Sequence, residues 1–156
     1  MKNHDVFDLT ATIEIAKNPE IVFKYLADYT NDCKWRQEIN RVEINIGTVA
    51  PGSLIIEDSF LSRRVPHYIS KLQCQEFWEN HRIVSETIQE NLFWAKNTRV
   101  VEPLPNKAIK VTYQLQFDQS IVKHGLGFQL PKILVKFYTL VTMKKYLRVL
   151  RKNLEI

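Results

Sequence analysis

Two adjacent carboxylates, Glu57 and Asp58, are the residues in this chain whose types and placement best suit acid–base chemistry. They lie in a predicted strand at residues 53–63, and successive side chains of a strand point to opposite faces. One carboxylate therefore faces the protein interior. A carboxylate in an apolar interior has a raised pKa and can serve as a general acid or base. The competing interpretation is a carboxylate at a water-filled opening or paired with Arg63 or Arg64.

Which carboxylate faces inward depends on which neighbours line the interior. The two alternatives follow the alternation of the strand: Asp58 if Leu54, Ile56 and Phe60 are inward, and Glu57, joined by Arg63, if Ile55 and Leu61 are inward. The sequence leaves both open. It identifies no catalytic residue, and it leaves open whether the chain is an enzyme.

The histidines and cysteines do not indicate a metal site. His4, His67, His81 and His124 are far apart, and 41 positions separate Cys33 from Cys74, so no pair has the short spacing of metal ligands. Neither a phosphate-binding glycine motif nor a nucleophile elbow is present. We therefore expect no metal and no cofactor, and two reduced thiols rather than a disulfide.

Three aromatic side chains with a polar group could contact a ligand. Tyr113 lies on the apolar face of the clearest strand, residues 108–118, and Tyr68 and Trp94 lie in comparable positions. A buried tyrosine hydroxyl needs a hydrogen-bond partner, which a ligand could supply. The alternative is a core residue bonded to water or backbone.

The hydrophobic periodicity predicts an α+β fold. A strand at 6–15 is followed by a helix at about 21–27, with Asn18 as N-cap and Pro19 at its first position, and by a second short helix or turn at 28–38 that carries Trp35. Six further strands are predicted at residues 41–46, 53–63, 67–77, 81–89, 93–101 and 108–118, with turns between them that include residues 47–52. Residues 119–129, with Gly125 and Gly127, are predicted to form a loop.

A long C-terminal helix completes the pattern at about residues 130–154. Its predicted core-facing stripe consists of Leu130, Ile133, Leu134, Phe137, Leu140, Val141, Leu147 and Leu150. The strands have one apolar and one polar face, so this helix is the expected cover of the apolar face. No repeat or linker divides residues 1–156, which we expect to form one domain.

The net charge of +5 is concentrated near the C-terminus. Residues 121–156 carry eight basic side chains and one acidic one, Glu155. In most proteins such a basic surface serves solubility. The alternative is a weak contact with an anionic surface. Nucleic acid is not expected, because Phe137 falls in the predicted buried stripe. The first five residues lack the apolar run of a signal peptide, and no segment reaches the length of a membrane span, so we expect a cytoplasmic protein.

The order of elements resembles the START-like, helix-grip (SRPBCC) superfamily, in its polyketide cyclase/dehydrase and lipid-transport branch. The residues that carry the resemblance are Ile13-Glu14-Ile15-Ala16, then Pro19, Val22-Phe23, Leu26, Asp28 and Trp35, and later Glu102-Pro103. The chain departs from the family pattern at Phe77-Trp78-Glu79-Asn80, where many members have a proline-rich turn.

The resemblance implies a curved antiparallel sheet of about seven strands wrapped around the C-terminal helix, with a cavity between them. The residues expected to contact a ligand there are Phe60, Tyr68, Leu72, Trp94, Tyr113, Leu115, Phe128, Ile133, Leu134, Phe137 and Val141. The leading hypothesis is binding of a lipid-, polyketide- or aromatic-type small molecule. The alternatives are a cyclase or dehydratase acting on such a molecule, and a macromolecular interaction module.

Overall fold

A seven-stranded antiparallel sheet forms most of the protein, which is seen here in a computed structural model that describes residues 5–45 and 49–156. The strands are β1 (Val6–Ile15), β2 (Ile39–Ile44), β3 (Leu54–Ser59), β4 (Tyr68–Trp78), β5 (Arg82–Thr87), β6 (Ala95–Pro103) and β7 (Ile109–Asp118). Their order across the sheet is β1-β7-β6-β5-β4-β3-β2. All seven predicted strands are confirmed, with ends displaced by a few residues. The predicted turn at 47–52 falls partly on residues 46–48, which lie outside the described residues, as does His4.

The alternation of side chains explains why one face of this sheet is covered. In β7 the odd-numbered residues Val111, Tyr113 and Phe117 are buried, and β1 pairs with β7 so that Phe7 lies opposite Phe117. The register shifts between Cys74 and Glu76 in β4, an irregularity that increases local twist and helps a sheet to curve. The buried odd-numbered face of β7 therefore belongs to a curved inner surface.

Two short helical segments follow β1, as predicted. In α1 (Pro19–Ala27) the Asn18 Oδ1 accepts a hydrogen bond from the Glu20 backbone N–H at 2.8 Å, and Pro19 occupies the first turn. A 3-10 helix (Tyr29–Lys34) comes next, with Asp28 as its cap. The chain then buries Trp35, which is 1% exposed.

The predicted loop at 119–129 is wrong, because α2 (Ser120–Leu126) occupies most of it. Gly127 ends this helix in the left-handed conformation, at φ 82°, and its N–H bonds to the Lys123 carbonyl. Gly125 is buried against Leu61, whose Cβ would lie 3.2 Å from an added Cβ. Gly127 therefore allows α2 to end, and Gly125 allows it to pack closely on the segment after β3.

The long helix α3 (Lys132–Leu154) packs on β1 and is anchored by its C-terminal half. Its buried residues are Val135, Met143, Tyr146, Leu147, Leu150 and Leu154. The predicted stripe is confirmed at Leu147 and Leu150 and is wrong for Ile133, Leu134, Phe137 and Val141, which are exposed. Within the described residues, no helix is long and apolar enough to cross a membrane. The cytoplasmic location stays a prediction.

Candidate functional site

A cavity of about 690 Å³ lies between the inner face of the sheet and helices α2 and α3. Four of the residues predicted to contact a ligand are on its wall: Phe60, Tyr68, Leu72 and Leu115. The rest of the apolar wall comes from Leu61, Phe117, Ile121, Val122, Leu126, Leu130, Val135 and Met143. A volume of this size falls within the range of about 300–1,000 Å³ that is common for small-molecule sites. Contact of these residues with a ligand stays a prediction.

The other predicted ligand contacts do not line the cavity. Tyr113 is buried beside it, with its hydroxyl accepting a hydrogen bond from the Asn97 Nδ2 at 3.1 Å. Trp94 is half-buried and donates from Nε1 to the Glu86 carboxylate at 2.7 Å. Phe128 is exposed in the segment between α2 and α3. The remaining four, Ile133, Leu134, Phe137 and Val141, lie on the outer side of α3 and cannot reach the interior.

Glu57 is the carboxylate that faces inward. Its neighbour Ile55 is fully buried on the same side of β3, and Glu57 is on the cavity wall with 6% of its surface exposed. Asp58 points outward to Asn40 and His67, and its pKa is lowered by the hydrogen bond from Asn40 and by His67. The expected partner Arg63 is exposed, and Arg36 takes its place at 3.4 Å from the Glu57 Oε2.

A buried network of charged side chains lies at the end of the cavity that Glu57 lines. The two carboxylate oxygens of Asp32 accept hydrogen bonds from Nη1 and Nη2 of Arg99 at 2.9 and 2.5 Å. Arg36 bonds to the same Asp32 at 3.1 Å and to Glu38 at 3.0 Å. The Arg99 Nε donates to the Asn97 Oδ1, and its guanidinium lies 4.0 Å from the centre of the Tyr29 ring. Asp32 therefore holds both arginines in fixed positions.

Burial shifts the pKa values of several titratable groups in and around this network. Burial raises the pKa of the Glu57 carboxyl, while the charge of Arg36 opposes the rise. Burial also raises the pKa of Tyr113, and it raises that of Tyr146 together with the nearby Glu38. Both phenols therefore stay protonated at neutral pH. Glu57 can donate a hydrogen bond when protonated and accept one when ionised, as an oxygen-containing ligand would require.

The Tyr68 hydroxyl is a second polar atom in the largely apolar part of the wall. The residue is 7% exposed, and its hydroxyl has no hydrogen-bond partner among the residues that the structure describes. Its ring is near those of Phe93 and His124, which pack at the same side of the cavity. A buried hydroxyl without a partner is costly, so this atom would gain from a hydrogen bond.

Sequence reasoning missed Asp32, Arg36, Asn97 and Arg99. One signal was available: Asn97, Arg99 and Val101 are alternate residues of a strand, so an inward Val101 places Arg99 inward as well. Asp32 and Arg36 are four residues apart, the spacing of a helical ion pair. Nothing in the sequence indicates that Arg99 in β6 contacts Asp32 in the 3-10 helix.

The described residues contain no group of three or more His, Cys, Asp or Glu side chains placed to hold a metal ion. Cys33 is exposed and Cys74 is buried, and both are free. Burial raises the pKa of the Cys74 thiol to about 11, so it is a poor nucleophile at neutral pH.

Comparison with known proteins identifies the fold. No protein-family model and no curated protein matches the sequence. Among solved structures, a START superfamily protein from Mycobacterium smegmatis is similar at a TM-score of 0.72, with 16% identity over 95% of this chain and 97% of that one. A hypothetical protein from Helicobacter pylori is similar at 0.71, with 12% identity over 97% and 88%.

A third similar structure has two domains. The di-domain ARO/CYC protein StfQ from the steffimycin biosynthetic pathway gives a TM-score of 0.72 with 12% identity, and it aligns with 96% of this chain. The chain spans about half of that protein, 51% of its length. At these identities the likeness concerns the fold, and it agrees with the order of strands and the covering helix described above. The chain has the START-like, helix-grip (SRPBCC) fold.

Proposed function

We propose that residues 1–156 form one START-like domain that binds a single, largely apolar small molecule in the cavity between the sheet and α3. The observation that carries the proposal is the 690 Å³ cavity, whose wall is largely apolar, with a charged network at one end and a minority of polar side chains such as Ser59, Thr139 and Thr142. Cavities with few, fixed polar groups hold apolar ligands in one orientation. The likeness to a START superfamily protein and to an ARO/CYC protein supports a ligand of lipid or polyketide type.

The arrangement of polar atoms suggests how the molecule lies. An oxygen at one end would reach Glu57 and its partner Arg36, which is held by Asp32, while the body contacts Leu72, Leu115 and their neighbours. A second oxygen along the body would bond the Tyr68 hydroxyl. The expected ligand is therefore an extended or polycyclic molecule with a carbonyl, hydroxyl or carboxyl group at one end.

The test combines native mass spectrometry of freshly purified protein, to detect a co-purified small molecule, with a fluorescent fatty acid that carries a nitrobenzoxadiazole group. Thr142 lines the cavity, whereas Val141, the residue before it in α3, is exposed. We expect Thr142→Trp to weaken binding by about tenfold or more, because the indole fills space that the probe needs, an effect equivalent to about 1.4 kcal/mol. Val141→Trp should leave the affinity for the fluorescent fatty acid within about twofold of that of the parent protein.

The reverse result would contradict the proposal. If Val141→Trp abolishes binding and Thr142→Trp does not, the probe binds the outer surface of α3. Absence of both a co-purified molecule and probe binding would argue that the cavity holds no ligand of this class.

Catalysis on the bound molecule is the second candidate function, and the buried Glu57 is the observation that favours it. Its raised pKa suits a general acid or base in a dehydration or cyclisation. If the molecule found by mass spectrometry is converted when returned to the protein, Glu57→Gln should stop the conversion and keep the binding. Conversion at an unchanged rate would exclude Glu57 from the chemistry.

A further inference from the structure

The outer side of α3 exposes a cluster of large apolar side chains, although the helix buries its opposite side. We call the cluster the outer patch; it consists of Ile133, Leu134, Phe137, Tyr138 and Val141. Phe137 is 70% exposed and Ile133 is 77% exposed. Single exposed apolar residues are common, but a contiguous group on one helix face is typical of an interaction surface.

The same helix is strongly cationic. Of its residues 132–154, seven are basic and none is acidic. Beyond the outer patch, positions spaced by three and four residues continue the outer face with basic side chains: Lys144, Lys145, Arg148, Arg151 and Lys152. Lys132, at the start of the helix, is bonded to Asp5 at 3.0 Å. The outer face of α3 is thus apolar in its first half and positively charged in its second.

We propose that α3 docks the protein on an anionic lipid bilayer, with the outer patch inserted at the level of the headgroups and the basic half held over them. Helices that lie in a membrane interface combine an apolar face with lysine and arginine in this way. Charge complementarity favours lipid over a second copy of the chain, because pairing two α3 helices would bring like charges together. Three of the five residues of the patch, Ile133, Leu134 and Val141, are aliphatic, which favours lipid over nucleic acid, whose bases stack on aromatic rings.

Tyr138 links the docking surface to the cavity, since it belongs to the outer patch and also lines the cavity. Phe60, at the cavity wall, is partly exposed as well. A protein docked through the patch would therefore hold its cavity next to the bilayer. The docking itself does not require that the cavity binds a ligand, so the two proposals can fail separately.

The experiment is flotation of the full chain with vesicles of phosphatidylcholine alone or with about 30% phosphatidylserine. We expect binding to the anionic vesicles that falls at least about tenfold when salt is raised from about 50 to about 500 mM. The double variant Ile133→Ser, Phe137→Ser should weaken binding by about tenfold or more, since it removes two inserting side chains. Charge reversal with Lys145→Glu, Arg148→Glu and Lys152→Glu should abolish it.

A matched control is available in Trp78, which is 66% exposed at the far end of β4 from Tyr68. Trp78→Ser removes an exposed aromatic group elsewhere and should leave vesicle binding unchanged, and thermal melts verify that all variants fold.

Three results would overturn the proposal. The first is no binding to anionic vesicles at low salt. The second is vesicle binding that the serine double variant leaves unaltered, because the contact would then be purely electrostatic and the outer patch would not insert. The third is a dimer in light scattering that the double variant dissociates, or binding to a single-stranded oligonucleotide, without vesicle binding. A second copy or a nucleic acid would then be the occupant.

Discussion

The ion pair between Asp32 and Arg99 offers the sharpest test of how the inner end of the cavity is built. Arg99→Met replaces the guanidinium by an apolar chain of similar length. It removes both hydrogen bonds to the Asp32 carboxylate, at 2.9 and 2.5 Å, and the bond to the Leu26 carbonyl at 2.7 Å. Asp32 would remain buried with 0% exposure and would keep only the Arg36 contact at 3.1 Å.

The expected loss follows from leaving one charge of a buried pair without its partner. Such changes typically cost about 3–5 kcal/mol, and the remaining Arg36 contact places the loss near the lower end, at about 3 kcal/mol. The matched control is Arg41→Met, which breaks a pair with Glu43 of comparable distance, 2.6 Å, between side chains that are 74% and 54% exposed. That loss should stay below about 1 kcal/mol.

The assay is urea unfolding at neutral pH, followed by the fluorescence of the three tryptophans and by circular dichroism. A second substitution, Asp32→Asn, in the Arg99→Met protein removes the stranded charge. It should therefore recover part of the stability, as a double-mutant cycle measures. A loss of less than about 1 kcal/mol for Arg99→Met would refute the reasoning, because it would mean that the Asp32 charge does not depend on Arg99 for its compensation.

Two further predictions concern Glu57 and the faces of α3. The folded-state pKa of Glu57 is raised, so its favourable contribution is present below its unfolded pKa and is lost as pH rises through the folded value. As the pH rises above the unfolded value of about 4.3, chemical unfolding should therefore show Glu57→Gln gaining stability relative to the parent, and a constant difference would contradict the raised pKa. On α3, Phe137→Ala should change the free energy of unfolding by less than about 0.5 kcal/mol, since the ring is exposed. Leu147→Ala, at a 1% exposed position, should cost about 2–5 kcal/mol, and equal losses would mean that the outer face of α3 is covered.

The sheet could be predicted because a half-buried strand repeats every two residues. In β7 the structure buries four alternate residues of the apolar face and half-buries the fifth, Leu115, whereas the four polar residues between them are only half-buried. The Asn18 cap and Pro19 similarly determine where α1 begins. Helix α2 was missed because its two glycines are typical of a loop. Their use at a helix end and in a close contact with Leu61 depends on a segment about sixty residues away in sequence.

The strand alternation could have placed Arg99 inward, but the charged network as a whole could not be predicted, because a charged residue is ordinarily assigned to the outside. Arg99 is 1% exposed and is compensated by groups from other elements: Asp32 in the 3-10 helix, the Leu26 carbonyl in α1, and the rings of Tyr29 and Trp35. Burial of an arginine is costly unless its charge is paired and hydrogen-bonded, as these partners provide. Sequence spacing alone does not reveal that long-range assembly.

The side of α3 that faces the sheet differs from the predicted one, and this difference accounts for the open cavity. Assigning the most apolar stripe to the core placed Ile133, Phe137 and Val141 inward, which would have filled the space under the helix. The structure instead turns Thr139 and Thr142 toward the sheet. These side chains are short and polar, and with Tyr138 they leave unfilled the volume that larger apolar groups would occupy. The exposed outer patch and the open interior therefore both follow from which side of α3 faces the sheet.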